Sequence, residues 1–158
     1  MSEIKDIEKD IYASFATIAS TIGYSEIHGR IIAALMVSDG KLSLQELAEK
    51  TGYSISTLSL SLDLLELLGM IKKIKNVGDR KLYIELQGDL LEGLKKAFII
   101  RIQKNISESL NNFNKYKESL EASNDKDKKK VINALSILEK EVKRLEKYIN
   151  FLSELKLK

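Results

Sequence analysis

Apolar residues recur every three or four positions near the start of the chain, and this spacing predicts amphipathic helices. The segment Ile4 to Ile22 carries one such stripe, and Gly23 follows it at the point where a helix can end. Ser25 can cap a second helix that runs to about Ser38. The pair Asp39-Gly40 then predicts a turn.

A capping box opens the next helix. Ser43 and Glu46 have the spacing at which a hydroxyl and a carboxylate each satisfy a free backbone N–H. This short helix should end at Gly52, and a longer helix is predicted from Ser54 to Leu68. Its expected core stripe consists of Ile55, Leu58, Leu62 and Leu65.

The period then changes from helical to extended. Met70 to Lys75 is short, basic and rich in isoleucine, and Arg80 to Leu86 alternates polar and apolar residues. Asn76 to Asp79 between them contains a glycine and predicts a turn. The two segments therefore predict a β-hairpin.

The order of helix, helix, capped short helix, turn, longer helix and hairpin is that of a winged helix-turn-helix. Ala48 permits two helices to approach closely, Gly52 suits the tight turn, and Leu58 would fill the space between the helices. The expected fold class is mainly α with a small β-hairpin wing. Residues 1–87 should form this domain, and residues 88–158 should form a helical dimerisation region.

The C-terminal part carries an apolar stripe with alternating steps of four and three residues. This is a heptad pattern, and it predicts a packed helical partner. The partner could be the Leu91 to Phe113 helix of the same chain, a second copy of the chain, or both. The helix in residues 1–22 could join the interface between copies. The residues assigned to dimerisation are Val131, Leu135, Leu138, Val142, Leu145, Ile149 and Leu152.

In this motif the second helix enters the major groove of DNA. Side chains opposite its core stripe should then contact the duplex, with serine and threonine hydroxyls bonding phosphates or base edges and Leu60 contacting a thymine methyl. Leu64 should also point outward. The predicted contact residues of the recognition helix are Ser54, Ser56, Thr57, Leu60 and Ser61.

The hairpin concentrates positive charge, because Met70 to Gln87 holds five basic and two acidic residues. Such a wing can bind phosphates, and an arginine suits a narrow minor groove, so Arg80 is placed there. The predicted wing contacts are Lys72, Lys73, Lys75, Arg80 and Lys81.

The recognition helix itself lacks positive charge, since no Lys or Arg occurs from Thr51 to Met70. The commonest specific contact, an arginine or lysine on guanine, is therefore missing. Asp63 also lies in this segment. Two hypotheses follow: a homodimeric, sequence-specific DNA-binding transcription regulator, or a winged-helix protein-interaction adaptor with weak or lost DNA readout.

The chain also resembles a known family, the GbsR-type branch of the MarR-like transcription regulators. The matching stretches are Gly40 to Ala48, Ser56 to Leu62, Leu67 to Ile71 and Gly78-Asp79-Arg80-Lys81-x-Tyr83. The resemblance implies a homodimer joined by terminal helices, with double-stranded DNA as its partner and a small-molecule effector in some members. It also implies DNA contacts by Ser56 to Ser61 and by the wing tip, Gly78 to Lys81.

Composition excludes several classes of site. No cysteine is present, which removes disulfides, thiolate metal sites and a cysteine nucleophile, and the single histidine, His28, removes a multi-histidine metal site. No phosphate loop, GxGxxG or nucleophile elbow occurs, so no enzyme activity and no cofactor are expected. The charged N-terminus and the short apolar runs predict a cytoplasmic protein with no membrane partner.

Overall fold

A computed structural model describes residues 2–156, with side chains from residue 3. It divides the chain into two compact units, one ending at Ala97 and one beginning at Phe98. In chain order, the elements are α1 (Ser2–Thr21), α2 (Glu26–Met36), β1 (Lys41–Ser43), α3 (Leu44–Thr51), α4 (Ile55–Leu67), β2 (Ile71–Lys75), β3 (Leu82–Leu86), α5 (Leu90–Glu121) and α6 (Lys128–Glu154). The predicted helices and the hairpin are confirmed.

The N-terminal unit has one hydrophobic core, formed by its four short helices, its sheet and the start of α5. Leucine and isoleucine side chains fill it, because the apolar stripes of the helices converge there. The largest fully buried side chains are Ile31, Leu35, Leu47, Leu58, Leu62, Ile71 and Ile84. The apolar stripe of α1 is only partly used, since Ile4 and Ile7 near its start are exposed.

The crossing of α1 and α2 depends on one glycine. A Cβ added at Gly29 would lie 2.1 Å from the backbone oxygen of Phe15 and 2.7 Å from the backbone nitrogen of Ala16. Both atoms belong to the main chain of a helix, so they cannot move aside as a flexible side chain could. Gly29 therefore allows a backbone-to-backbone approach that no other residue permits.

The sheet has three antiparallel strands in the order β1-β3-β2, rather than the two strands that the sequence predicts. The extra strand, β1, pairs Lys41 with Glu85 and Leu42 with Ile84. Its short length conceals it in the sequence, because Lys41–Ser43 lies between a turn and a capping box. Strand β1 pairs with β3 and leads directly into α3, so it joins the hairpin to the start of that helix.

The boundary between the units lies later than the predicted boundary at residue 87, because the first turns of α5 pack onto the N-terminal unit. The Tyr24 hydroxyl donates a hydrogen bond of 2.7 Å to the backbone oxygen of Ala97. Gly93 lies against Met70, where an added Cβ would come within 2.6 Å of Met70 Cγ. The start of the long helix is therefore part of the N-terminal core.

In the C-terminal unit, α6 runs antiparallel to α5. Lys117 of α5 forms an ion pair with Glu139 of α6, and Gln103 Nε2 donates to Asn150 Oδ1 at 3.3 Å. An apolar cluster packs the two helices together, with Ile99, Ile106, Ile149 and Val142 among its members. The predicted packing of α6 on a helix of the same chain is confirmed.

The heptad stripe of α6 divides into two rows, and this corrects its assignment to dimerisation as a whole. Leu135 and Ile149 are 8% and 6% exposed, and Val142 packs against the intrachain cluster. These three residues, spaced seven apart, are used within one chain because α5 covers that side of α6. The other row remains exposed and consists of Val131, Leu138, Leu145 and Leu152.

None of the helices in residues 2–156 has the length and apolar character that crossing a lipid bilayer requires.

We predict that Gly29→Ala destabilises the protein. Glycine-to-alanine changes inside an open helix usually stabilise it by about 0.5–1 kcal/mol, whereas overpacking costs about 1–3 kcal/mol. With main-chain atoms 2.1 Å from the new Cβ, overpacking should dominate and the melting temperature should fall. Thermal unfolding followed by circular dichroism measures this, and a melting temperature equal to or above that of the wild type would contradict the close crossing.

Candidate nucleic-acid interface

The turn between α3 and α4 is held by caps at both helix starts. The Ser43 hydroxyl accepts from the Glu46 N–H at 3.2 Å, and the Glu46 carboxylate accepts from the Ser43 N–H at 2.8 Å. The predicted capping box is therefore confirmed. The hydrogen bonds from Ser43 hold the pKa of Glu46 below its ordinary value, which keeps the carboxylate charged as the box requires. Gly52 ends α3 with a φ of 76°, a left-handed conformation that glycine adopts without strain.

One face of α4 is buried and the opposite face is exposed. Leu58, Leu62 and Leu65 lie in the core, whereas Leu60 is 77% exposed. Because Leu60 follows Ser56 by four residues, the two side chains lie on the same helix face. This exposed face is the one that the sequence assigns to DNA contact.

Three assignments in this helix are wrong. Ile55 was expected in the core stripe, but it is 45% exposed because it lies in the first turn, beyond the edge of the core. Ser61 was expected at the DNA surface, but it is 8% exposed because its position faces the core between Leu58 and Leu62. Leu64 packs partly against the core instead of pointing fully outward.

The hydroxyls at the start of α4 bond to one another. Ser54 Oγ accepts from the Thr57 N–H at 3.2 Å and caps the helix. The same oxygen lies 2.7 Å from Thr57 Oγ1 and 3.2 Å from Ser56 Oγ. Ser59 Oγ donates to the backbone oxygen of Ile55 at 2.9 Å. Much of the hydrogen-bonding capacity of this surface is therefore already used within the helix.

Asp79 organises the tip of the wing. Its carboxylate accepts from the Lys81 backbone N–H at 2.9 Å. It also accepts a hydrogen bond from the Tyr83 phenol, and this bond raises the pKa of Tyr83. Lys41 Nζ lies 5.4 Å from the centre of the Tyr83 ring. The spacing Gly-Asp-Arg-Lys-x-Tyr thus has a physical basis, because the aspartate joins the turn to the strand that follows it.

Lys73 connects the wing to α4. Its ammonium forms an ion pair with Asp63 and lies 4.0 Å from a carboxylate oxygen of Glu66. The Lys73 backbone N–H donates to Glu66 at 3.2 Å. Lys73 was assigned to phosphate contact, but it faces α4 and two carboxylates neutralise it, so it positions the wing instead. Lys72 lies opposite Glu85 in the sheet, while Lys75 is exposed.

The wing and the starts of α3 and α4 line one common groove. Residues from the start of α3, the start of α4 and the wing line it together: Ser43, Leu44, Gln45, Ile55, Arg80, Lys81 and Leu82. The structure thereby brings Arg80 and Lys81 beside the first turn of α4. Gln45 and Ile55 complete this groove and were missed. The exposed position of Gln45 in the first turn of a capped helix was the available signal.

Three tyrosines of the N-terminal unit have different surroundings. Tyr24 lines an apolar cavity of about 40 Å³ in the N-terminal unit, together with Phe15, His28, Met70 and Leu94 among others. Tyr12 and Tyr53 pack in or against the hydrophobic core instead. Burial lowers the pKa of His28, so its ring is favoured in the neutral form beside this cavity.

Comparison with known families matches the same part of the chain. Residues 24–72 match the family model described as winged helix-turn-helix DNA-binding. The fold is a winged helix-turn-helix. The matched segment begins before α2 and ends in β2, so it includes α3, α4 and the turn between them.

A solved structure shares this fold, and others are similar at lower TM-scores. A crystal structure described as a transcriptional regulator is 18% identical, has a TM-score of 0.56, and the match covers 94% of this chain and 99% of that one. The MarR family transcriptional regulator AbsC from Streptomyces coelicolor is 15% identical, with a TM-score of 0.43 and coverage of 92% and 88%. NadR in complex with 4-hydroxyphenylacetate is 19% identical, with a TM-score of 0.42 and coverage of 67% and 74%. Comparison with curated protein sequences gave no match.

We predict that Asp79→Ala lowers the pKa of Tyr83 toward the ordinary tyrosine value. The carboxylate stabilises the protonated phenol, first through the hydrogen bond and then through its charge, so its removal makes the proton easier to lose. NMR titration of carbon-labelled tyrosine measures the change. Glu85→Ala is the matched control, because it removes a carboxylate from the same hairpin that does not bond Tyr83. An unchanged Tyr83 pKa in Asp79→Ala would contradict the bond.

Proposed function

We propose that this protein is a homodimeric, sequence-specific DNA-binding transcription regulator. In this proposal α4 enters the major groove while the wing contacts phosphates or the minor groove. The observation that carries it is the single groove shared by Arg80, Lys81 and the starts of α3 and α4. The match of residues 24–72 to a DNA-binding family supports it.

The charges around this groove suit a phosphate backbone. Arg80 and Lys81 are exposed beside two helix N-termini, where free N–H groups and the helix dipoles attract anions. Gln45 can add a neutral hydrogen bond from the first turn of α3. The acidic residues of α4 do not oppose this attraction fully, because Asp63 and Glu66 are paired with Lys73. The wing therefore supplies most of the electrostatic attraction to DNA.

We propose further that the protein is a MarR-like regulator of the GbsR-type branch. The motif Gly78-Asp79-Arg80-Lys81-x-Tyr83 supports this family assignment, and each polar side chain in it has a structural or a binding role. Asp79 and Tyr83 hold the wing tip, and the tip presents Arg80 and Lys81.

Removing both wing cations tests DNA binding directly. We predict that the double variant Arg80→Ala with Lys81→Ala weakens binding to the region upstream of its own gene. It should also lower the slope of log affinity against log salt by about 0.9 for each phosphate that the variant no longer neutralises. Fluorescence anisotropy over a series of salt concentrations measures both quantities.

The matched control is Lys129→Ala with Lys130→Ala, which removes two exposed cations from the C-terminal unit. This variant should keep the affinity and the salt slope of the wild type. Equal DNA binding by the wild type and the wing variant would contradict the proposal. Failure of the wild type to bind at low salt would favour a protein-interaction adaptor with the same fold.

The exposed row on α6 is the proposed contact between two copies. Val131, Leu138, Leu145 and Leu152 recur every seven residues, and each is at least 38% exposed. A stripe with this repeat packs well against a second copy of itself, because knobs and holes then match along the helix. The row continues into exposed Tyr148 and Phe151, which enlarge the apolar surface.

We predict that Leu138→Glu with Leu145→Glu converts a dimer into monomers. Both leucines are exposed within one chain, so the substitutions should leave each unit folded while they place charges in the interface between copies. Sedimentation velocity gives the mass, and circular dichroism checks the fold. Ser136→Glu with Lys140→Glu adds the same residues at exposed polar positions of α6 and should remain dimeric. A wild-type monomer at micromolar concentration would refute the interface.

A further inference from the structure

We propose that α4 recognises thymine methyl groups, and that Leu60 is the residue that contacts them. This inference rests on the proposed function and specifies its target: a duplex with thymines at the positions that face α4 in the major groove. Thymine is the base that presents a methyl group there, and an apolar side chain recognises it by contact.

Leu60 lies on the solvent side of α4. Its side chain is 77% exposed, although the neighbouring leucines Leu58 and Leu62 are at most 1% exposed. It lies on the face opposite the core, four residues after Ser56 and three after Thr57, in the first half of α4. In a helix that enters the major groove, this half contacts base edges.

The polar groups around Leu60 are already engaged. The hydroxyls of Ser54, Ser56 and Thr57 bond one another, and the Ser59 hydroxyl donates to a backbone oxygen. Because three of these hydroxyls share two bonds, one O–H donor and the spare oxygen lone pairs stay open to bases, but each of the other donors would have to give up an existing bond for a small net gain. Asp63, one turn after Leu60, is paired with Lys73 and is likewise engaged.

The lack of basic residues in α4 excludes the commonest base contact, which is an arginine or lysine on guanine. No Lys or Arg occurs from Thr51 to Met70, so α4 cannot make the bidentate contact to guanine. The first half of α4 exposes two large apolar side chains, Ile55 at 45% and Leu60 at 77%, and Leu60 is the more exposed one and lies on the face opposite the core. Burying it against a methyl group removes apolar area from both partners.

The test compares thymine with uracil, which lacks the methyl group and keeps the same base-pairing edge. The fragment upstream of the gene is amplified once with dTTP and once with dUTP, and the full-length protein is titrated with each. Removing one buried methyl should weaken binding about four-fold. We therefore expect the wild type to prefer the thymine duplex by about four-fold or more.

Two variants test whether Leu60 causes the preference for thymine. Leu60→Ala should bind both duplexes with nearly equal affinity, because the side chain that senses the methyl is gone. Leu67→Ala is the matched control, since Leu67 is 75% exposed on the same face but lies at the far end of α4. It should keep the preference of the wild type. Both leucines are exposed, so neither variant should lose its fold, which circular dichroism checks.

The outcomes separate this inference from the proposed function. Equal wild-type binding to the two duplexes would overturn methyl recognition while leaving DNA binding intact. A thymine preference that survives in Leu60→Ala, or that disappears in Leu67→Ala, would overturn the assignment to Leu60. Failure of the wild type to bind either duplex would refute DNA binding itself, and methyl recognition with it.

Discussion

The contact between Lys73 and α4 is the interaction on which the candidate interface depends. One lysine pairs with two carboxylates of α4, and the backbone of the same residue bonds Glu66. These contacts hold β2 against the helix, and β2 holds β3 and the wing tip through the antiparallel register. Since the pair is partly exposed, its strength comes from several coupled contacts rather than from a single ion pair. It acts together with buried Ile71 and Ile84 and with the pairing of β1 and β3, which also fix the wing beside α4.

This arrangement accounts for the unusual character of α4. Its acidic residues would repel the phosphates of DNA, but Asp63 and Glu66 bind Lys73 and so hold the wing against α4. Cations lie on the hairpin instead, at Arg80, Lys81 and Lys75. In the proposed function, different elements carry affinity and sequence preference: the wing would supply charge, and α4 would supply shape and apolar contact. Such a division predicts strongly salt-dependent binding with modest discrimination by α4.

Much of the fold could be predicted from sequence because its signals are local. The capping box at Ser43, the left-handed stop at Gly52 and the heptads of α6 each follow from spacing alone. The errors arose where tertiary contacts decide. Ser61 is buried because α4 is covered on a broader face than its leucine stripe suggests, and Ile55 is exposed because the core ends before the first turn. Strand β1 is too short to show a period, and it forms because β3 offers an unpaired edge.

The candidate interface, too, could be predicted only where local sequence decides. Arg80 and Lys81 could be assigned from the charge of the hairpin, but the opposite orientation of Lys73 depends on β-register, and a shift of one residue would reverse it. The α6 heptads predicted packing without saying which row packs within the chain, since α5 and a second copy are equally suitable partners by pattern.

Selection of bound duplexes from a random pool at low salt tests the central claim most directly. The account predicts enrichment of an inverted repeat whose half-sites lie about one helical turn apart, and a pool that stays random while the protein is folded and dimeric would contradict it.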